Sequence, residues 1–234
     1  MAEPANPPPP PSAVPADESQ GMNLESPEFQ PGFEAGLRIG IGLPVGKAGD
    51  SALGEGRKLG DLVAWRTPVW VDVAYRVSPA ASYGLYGQIG FGGTGDVCPD
   101  GGKCDWSDLR LGVQGLWRIN PGGDTEPWLG LGLGIESLNL QDTESRVDED
   151  SGQPFTVRVK ENLLGPELLM QAGLALRVDK WLQLGPYAAA SLGTYLGDRY
   201  ECEFEVPVVC PSGSVNGSAF HAWLGVGLAG RYSP

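Results

Sequence analysis

The amino-acid sequence predicts an all-β fold: an eight-stranded antiparallel up-and-down β-barrel that crosses a membrane, with short turns at one end and long loops at the other. Three observations predict it. Hydrophobic residues occupy every second position in eight separate segments, the alternate positions are rich in Gly, Arg and acidic residues, and short and long connections alternate along the chain. A chain of 234 residues is long enough for one such barrel.

The first segment, residues 33–46, shows the pattern most clearly. Its sequence is FEAGLRIGIGLPVG, in which Phe33 and Leu37 share one face with other apolar residues, whereas Glu34 and Arg38 share the opposite face mostly with Gly. A period of two residues is that of a strand with two different faces. The segment is long enough to cross a bilayer as a tilted strand, which takes about 9 to 11 residues.

Seven further segments repeat this alternation at a similar length. In chain order they are PVWVDVAYRVS (68–78), YGLYGQIGF (83–91), DLRLGVQGLWRI (108–119), WLGLGLGIE (128–136), ELLMQAGLALRV (167–178), LQLGPYAAASLGTY (182–195) and AFHAWLGVGLAGRY (219–232). Because eight is an even number, we expect both chain ends at the same end of the barrel.

The connections between the segments sort by length. SPAAS, NPGGDTEP and VDKW are short, whereas the connections that begin near Lys47, Gly93, Asn139 and Leu196 are long, polar and irregular. Short turns at one end and long loops at the other are typical of transmembrane barrels whose N-terminus lies on the short-turn side.

We expect the Gly-rich face to point into the barrel and the apolar face to point toward lipid. A soluble strand would carry Lys, Thr and Glu on its outer face, but here the second face is mostly Gly, and the lysines all fall in predicted connections. Charges inside a narrow lumen must pair, and Arg offers carboxylates bidentate donors. The predicted lumen charge network consists of Glu34, Arg38, Asp72, Arg76, Asp108, Arg110, Arg118, Glu136, Glu167, Arg177 and Arg231.

Composition excludes some functions and separates two regions. A net charge of −13 opposes nucleic-acid binding, because a protein that neutralises phosphates needs a basic surface. Residues 1–31 contain PANPPPPPSAVPADESQ without an apolar period, so we expect a Pro-rich disordered tail there and a barrel over residues 32–234. A ligand for a proline-reading domain is the alternative for this tail. No apolar run reaches 18 residues, and we expect that a signal peptide has been removed.

The repeated strands, the sorting of the connections and the inward Arg and Glu residues resemble the small eight-stranded outer-membrane barrels of the OmpA and OmpX type. The resemblance covers residues 33–232 and implies a place in the outer membrane of Gram-negative bacteria, with both termini in the periplasm. It also implies contact with lipopolysaccharide and recognition by the outer-membrane assembly machinery. In the last strand Gly227, Leu228 and Tyr232 match the family's closing pattern, whereas Gly230 replaces a large residue.

Aromatic residues near the predicted strand ends suggest interfacial girdles. The alternative is that strands are simply rich in aromatic residues. The predicted girdle residues are Trp65, Tyr83, Trp106, Trp117, Trp128, Trp181, Tyr195 and Tyr232.

Four cysteines fall in two of the long connections. Their even number, close spacing and exported context favour two disulfides, Cys98 with Cys104 and Cys202 with Cys210. A zinc site is disfavoured because the chain has a single His. These bridges would stiffen external loops.

Two further candidate sites have weaker signals. One outer-membrane deacylase type has Ser two positions after its His, but here Trp223 follows His221, so we expect His221 to form a hydrogen bond in the lumen rather than to catalyse. The acidic segment 138–162 lacks the spacing of a calcium-binding EF-hand, which favours solvated surface charge. We therefore predict no cofactor and no metal. The alternation in FTVRVK and ECEFEV suggests strands that continue past the membrane as hairpins, whose edges could bind a partner.

The leading functional hypothesis is a non-enzymatic outer-membrane barrel with a lumen plugged by Arg and Glu. It presents acidic loops for structural, adhesive or partner-binding roles, and its extracellular partner is unknown. Transport of a small or hydrophobic solute is the alternative. An enzyme that modifies lipid A is disfavoured, because the motifs supply no set of nucleophile, base and orienting acid. A soluble lipocalin-like barrel would require the two strand faces to be reversed.

Overall fold

The computed structural model describes residues 29–50, 56–95, 103–147, 154–204 and 219–233. In chain order the elements within these ranges are β1 (Gly32–Asp50), β2 (Gly56–Lys58), α1 (Leu59–Leu62), β3 (Val63–Arg76), β4 (Ala81–Thr94), β5 (Lys103–Arg118), β6 (Thr125–Val147), β7 (Pro154–Arg177), β8 (Leu182–Tyr195), β9 (Gly197–Phe204) and β10 (Ala219–Tyr232). The predicted Pro-rich tail lies outside the described residues except at its last three positions. None of the helical residues described here forms a helix long and apolar enough to span a membrane.

Eight strands form a closed antiparallel barrel. The ring runs β1, β3, β4, β5, β6, β7, β8, β10, and it closes because β10 pairs with β1, from Ala35 opposite Tyr232 to Gly46 opposite His221. Closure pairs the backbone groups that an open sheet edge would expose to lipid. The prediction of an all-β, eight-stranded up-and-down barrel is confirmed.

The two ends of the barrel differ. Residues 77–80, 119–124 and 178–181 connect neighbouring strands at one end, where β1 begins and β10 ends. We call it the short-turn end. The opposite, long-connection end carries β2, α1 and β9, together with the continuations of β5, β6 and β7.

The outer face of the barrel is apolar over most of its height. The outward side chain of Leu111 is 58% exposed, and that of Leu37 is also 58% exposed. Large exposed apolar patches on a soluble protein are unusual, and this one encircles the molecule. Lipid is the environment that covers such a surface. We call it the apolar belt; its residues include Leu37, Ile39, Ile41, Leu43, Val71, Val73, Leu85, Ile89, Leu109, Leu111, Val113, Leu131, Leu133, Ile135, Leu224, Val226 and Leu228.

A charge placed in the middle of this belt should destabilise the barrel. Leu111 lies between Gly87 and Ile135 of the neighbouring strands, far from either end of β5. We expect Leu111→Arg to lower the free energy of unfolding in lipid by about 2 to 4 kcal/mol. Ser107→Arg, on the same face of β5 but beyond the belt, should cost about 0 to 1 kcal/mol. Denaturant unfolding in lipid vesicles measures both, and equal costs would mean that the belt faces water.

Strands β5, β6 and β7 continue past the apolar belt. A row of outward polar residues marks the border: Ser107 lies opposite Asn139, Asn139 lies opposite Asn162, and the Asn162 amide donates to Asn139 Oδ1 at 2.6 Å. Beyond this row, β9 extends the sheet by pairing with β7. We call residues 103–107, 139–147, 154–162 and 197–204 the projecting sheet. Because the apolar alternation ends at the belt, the predicted segments of β5, β6 and β7 are shorter than the observed strands. FTVRVK and ECEFEV were predicted to continue as strands: FTVRVK lies in β7, ECEF lies in β9, and residues 205–206 are outside the described residues.

Candidate functional site

The candidate functional site is the interior of the barrel. An eight-stranded barrel is just wide enough for its own inward side chains, so polar groups there must satisfy one another. Three levels follow each other along the axis. An apolar cap lies at the long-connection end, a central charge cluster lies below it, and a second group of ion pairs extends to the short-turn end.

The apolar cap covers the lumen at the long-connection end. Leu59 of α1 and Val63 of β3 are fully buried there, and the rings of Trp106 and Trp223 stack with centroids 6.5 Å apart. The first long connection is also held by an ion pair of 2.8 Å from Arg57 to Glu161 of β7. The cap consists of Ala48, Leu59, Val63, Trp106, Leu138, Leu163, Tyr195, Ala219 and Trp223.

Arg110 is the centre of the charge cluster below the cap. Its side chain is fully buried and donates to three carboxylates: to Asp108 at 2.9 Å, to Glu136 at 2.8 Å and to Glu167 at 2.6 Å. A fourth hydrogen bond, of 2.7 Å, goes to the Ser191 hydroxyl. The planar guanidinium group thus connects side chains of four strands, β5 to β8, and its bonds to the carboxylates are stronger than neutral ones.

Glu136 connects the charge cluster to the cap. Its Oε1 accepts hydrogen bonds from Arg110, from the Tyr195 hydroxyl at 3.0 Å and from the Trp223 indole at 2.9 Å. Its Oε2 lies 2.9 Å from His221 Nε2, and the His221 ring stacks on Tyr195 with centroids 4.0 Å apart. The aromatic residues of the cap therefore supply part of the hydrogen bonding of a buried carboxylate.

Two more residues complete the cluster. Arg66 forms an ion pair with Asp108, and its guanidinium carbon lies 4.0 Å from the ring centroid of Trp223. Tyr86 donates from its hydroxyl to Glu167 at 2.8 Å. Each of the three carboxylates in the cluster accordingly has at least two charged or polar partners, which offsets the cost of its burial.

A separate ion pair lies closer to the short-turn end. Arg38 forms two hydrogen bonds with Asp72, and its guanidinium carbon lies 4.4 Å from the ring centroid of Trp70. Gln114 donates to Asp72 at 2.7 Å and accepts from Gln171 at 2.7 Å.

The short-turn end has its own cluster of charges. Arg118 donates to both oxygens of Glu34, at 2.7 Å and 2.6 Å, and Arg76 lies 3.2 Å from the same carboxylate. Glu126 lies 3.7 Å from Arg118 and 3.6 Å from Arg177, whose side chain is 40% exposed. We call these five residues the short-turn cluster.

The structure brings ten of the eleven predicted network residues into ion pairs within three groups. Arg231 is the exception, because no carboxylate of the described residues lies within 4.0 Å of its guanidinium group. Sequence reasoning missed Arg66 and Glu126, which are both buried in the lumen. Each shares the inward parity of its strand, Arg66 with Trp70 and Glu126 with Trp128, so extending the alternation by a few residues would have found them.

The predicted aromatic girdle is partly wrong. Trp65, Tyr83, Trp117, Trp181 and Tyr232 are 40 to 51% exposed, as girdle residues should be. Trp106, Trp128 and Tyr195 are at least 92% buried. The error has a simple reason: these three side chains share the parity of the inward residues, and position near a strand end does not decide which face a side chain joins.

The remaining predicted sites lie partly outside the described residues. Cys104 is in β5 and Cys202 is in β9, whereas Cys98 and Cys210 are not described. The cysteines that are described include no free thiol, and the two disulfide pairings stay predictions. The described part of the chain contains no group of three or more metal-ligating side chains.

Comparison with solved structures identifies the fold. Neisserial surface protein A superposes with a TM-score of 0.51 at 10% sequence identity, over 87% of this chain and 99% of the other. The chain has the fold of the eight-stranded outer-membrane β-barrels. Outer membrane protein AlkL (TM-score 0.48, 13% identity, 98% of this chain and 96% of the other) and OprG from Pseudomonas aeruginosa (0.42, 10%, 86% and 96%) are also similar. No protein-family model and no curated protein sequence matches the chain.

Proposed function

We propose that this protein is a closed, non-enzymatic outer-membrane barrel that presents the projecting sheet and its adjoining loops at the cell surface, for adhesion or partner binding. The observation that carries the proposal is the contrast between the two parts of the molecule. In the lumen an apolar cap covers charged side chains that mostly pair with one another, whereas β5, β6, β7 and β9 lie beyond the apolar belt, where lipid no longer covers them.

The lumen offers a solute two successive barriers. The cap excludes water through fully buried apolar side chains such as Leu59 and Leu138. Below it, an ion would have to displace the three carboxylates from Arg110, since these groups occupy the centre of the barrel. Breaking such a buried pair is costly. These contacts favour a plugged lumen over transport.

The lengths of the connections at the two ends suggest how the barrel is oriented in the membrane. Both Gly32 and Tyr232 lie at the short-turn end, which in outer-membrane barrels faces the periplasm. The projecting sheet then emerges outside the cell, next to the lipopolysaccharide head groups. The outward polar row of Ser107, Asn139 and Asn162 lies at the level where those head groups would begin. Insertion would depend on the outer-membrane assembly machinery.

The projecting sheet suggests how a partner would bind. Strand β9 pairs with β7 on one side, and among the described residues no strand pairs with its other side. An unpaired edge can accept an extended peptide by backbone hydrogen bonding. The predicted Cys202–Cys210 bridge would hold this edge in place. We therefore propose an extended polypeptide segment as the class of partner.

A shortened hairpin tests the proposal. Glu144–Val157 are removed as complete register pairs, and Thr143 is joined to Arg158 by Asn-Gly, a sequence that favours a tight hairpin turn. We expect the barrel to remain folded and closed, while attachment of cells that display the variant falls to the level of cells without the protein. Ser107→Ala, which leaves the hairpin intact, should attach normally.

Planar-bilayer recordings separate this function from transport. The wild-type protein and the shortened variant should both show little steady conductance. A large, stable open channel in the wild type would contradict the plugged lumen and favour transport, and undiminished attachment by the shortened variant would contradict the role of the projecting hairpin.

A further inference from the structure

Among the described residues, Arg231 is the one lumen arginine without an ion pair to a carboxylate. Around it, every carboxylate is already bonded to a different arginine: Asp72 to Arg38, Glu34 to Arg118 and Arg76, and Glu126 to Arg118 and Arg177. Three carboxylates at this end of the lumen therefore face five arginines when Arg231 is included, and Arg231 is the one without a carboxylate within 4.0 Å among the described residues.

The Arg231 side chain is half-buried, and part of its guanidinium group is enclosed. Its carbon lies 5.5 Å from the ring centroid of Trp128, and its Nη1 is buried without a hydrogen bond to any described residue. The Nη1 of Arg38 is likewise buried and unbonded. An enclosed charge with unsatisfied donors is costly, so a negatively charged partner at this point would stabilise the barrel.

Both arginines line the same small cavity. It has a volume of about 30 Å³ and is lined by Arg38, Arg231, Gln183, Glu34 and Asp72, with Trp128 and Leu116 among its apolar walls. A cavity of roughly 10 to 15 Å³ on this measure accommodates one water-sized particle. The cavity therefore suits one small monovalent ion and is too small for a phosphate group with its four oxygens.

We propose that this cavity binds a halide-sized anion, chloride in the periplasm, between Arg231 and Arg38. The ion neutralises Arg231, which has no carboxylate within 4.0 Å among the described residues, and accepts hydrogen bonds from the Nη1 donors of both arginines. A groove of about 370 Å³ at the short-turn end shares Gln183 with the cavity and is lined by Arg76, Arg177 and Lys180 together with Glu126 and Asp179.

Bromide in place of chloride makes the ion visible. Crystals of the full barrel grown from detergent and soaked in sodium bromide should give an anomalous peak in this cavity, beside the Arg231 guanidinium group. Crystals of Arg231→Gln soaked in the same way should lack this anomalous peak. A cavity that shows ordinary water density and no anomalous signal in the bromide-soaked wild type overturns the proposal.

Thermal unfolding in detergent provides a second measurement. At constant ionic strength, replacing gluconate by chloride should raise the Tm of the wild type progressively with chloride concentration, because a ligand that binds only the folded state stabilises it. Arg231→Gln should lose this rise. Arg177→Gln, the matched control at an exposed and paired arginine of the same end, should keep it. A chloride response that is equal in both variants overturns the proposal. If Arg231→Gln does not fold, the bromide experiment on the wild type decides.

Discussion

Replacing Arg110 by Met is expected to destabilise the barrel more than any other single substitution of a lumen charge. Arg110 is fully buried and binds Asp108, Glu136 and Glu167 at 2.6 to 2.9 Å. Met keeps most of the side-chain volume but leaves three carboxylates facing each other without their shared cation. Breaking one buried pair in this way costs about 3 to 5 kcal/mol, and three carboxylates lose a partner here. Urea unfolding in lipid vesicles, followed by tryptophan fluorescence, measures the loss.

The control for this prediction is Arg177→Met. Arg177 has the same side chain and also contacts a lumen carboxylate, but it is 40% exposed and 3.6 Å from Glu126. Its loss should cost about 0 to 1 kcal/mol, the range of exposed ion pairs. The double variant Arg110→Met, Glu136→Gln should recover part of the stability, because it removes one of the stranded charges. Equal costs for Arg110→Met and Arg177→Met would contradict the central role of the charge cluster.

The sequence predicted which strand face each residue joins, because successive side chains in a strand always alternate between the two faces. Once Phe33 and Leu37 are placed toward lipid, Glu34 and Arg38 must point inward, and the same step places Asp108 and Arg110. The Gly-rich face was assigned to the lumen because Gly leaves room there for larger side chains. The structure supplies the reason for that Gly: a side chain at Gly90 would overlap the Asp108 carboxylate, and one at Gly134 would overlap the Tyr86 hydroxyl.

The sequence did not predict which arginine pairs with which carboxylate. Parity says that Arg110 and Arg231 both point inward, but it does not give their height along the barrel axis relative to each carboxylate. That height depends on the stagger between neighbouring strands, which the register sets. Arg110 lies directly opposite Glu136 on β6, whereas Arg231 lies opposite Gly36 on β1 and Gln183 on β8. The register thus places no carboxylate directly opposite Arg231 on either paired strand.

The apolar cap was also beyond the sequence pattern. Leu59 lies in a connection that has no periodic signal, and its burial comes from the way β2 and α1 fold over the lumen. Long-range contacts of this kind depend on the closed barrel. The misplacement of Trp106 and Tyr195 at the membrane interface has a different cause, because their inward parity could have been read from the sequence.

The second large loss of stability is expected when Trp223, which lies where the cap meets the charge cluster, is replaced by Ala. Its side chain is 1% exposed, its indole donates to Glu136 at 2.9 Å, and its ring contacts Trp106 and the guanidinium group of Arg66. Trp223→Ala removes these contacts together and leaves a cavity in the middle of the lumen. We expect a loss of about 3 to 5 kcal/mol in the free energy of unfolding.

The matched substitution is Trp117→Ala on the outer face of the barrel. Trp117 is 40% exposed and makes one edge-to-face contact with Tyr83, with centroids 6.2 Å apart. Such a pair contributes about 0.5 to 1.5 kcal/mol beyond its area, so this variant should be clearly less affected than Trp223→Ala. Because Trp223 fills the lumen and Trp117 does not, Trp223→Ala should also raise the conductance in planar bilayers, while Trp117→Ala should remain as closed as the wild type. A stable Trp223→Ala barrel without added conductance would show that the cap does not depend on this side chain.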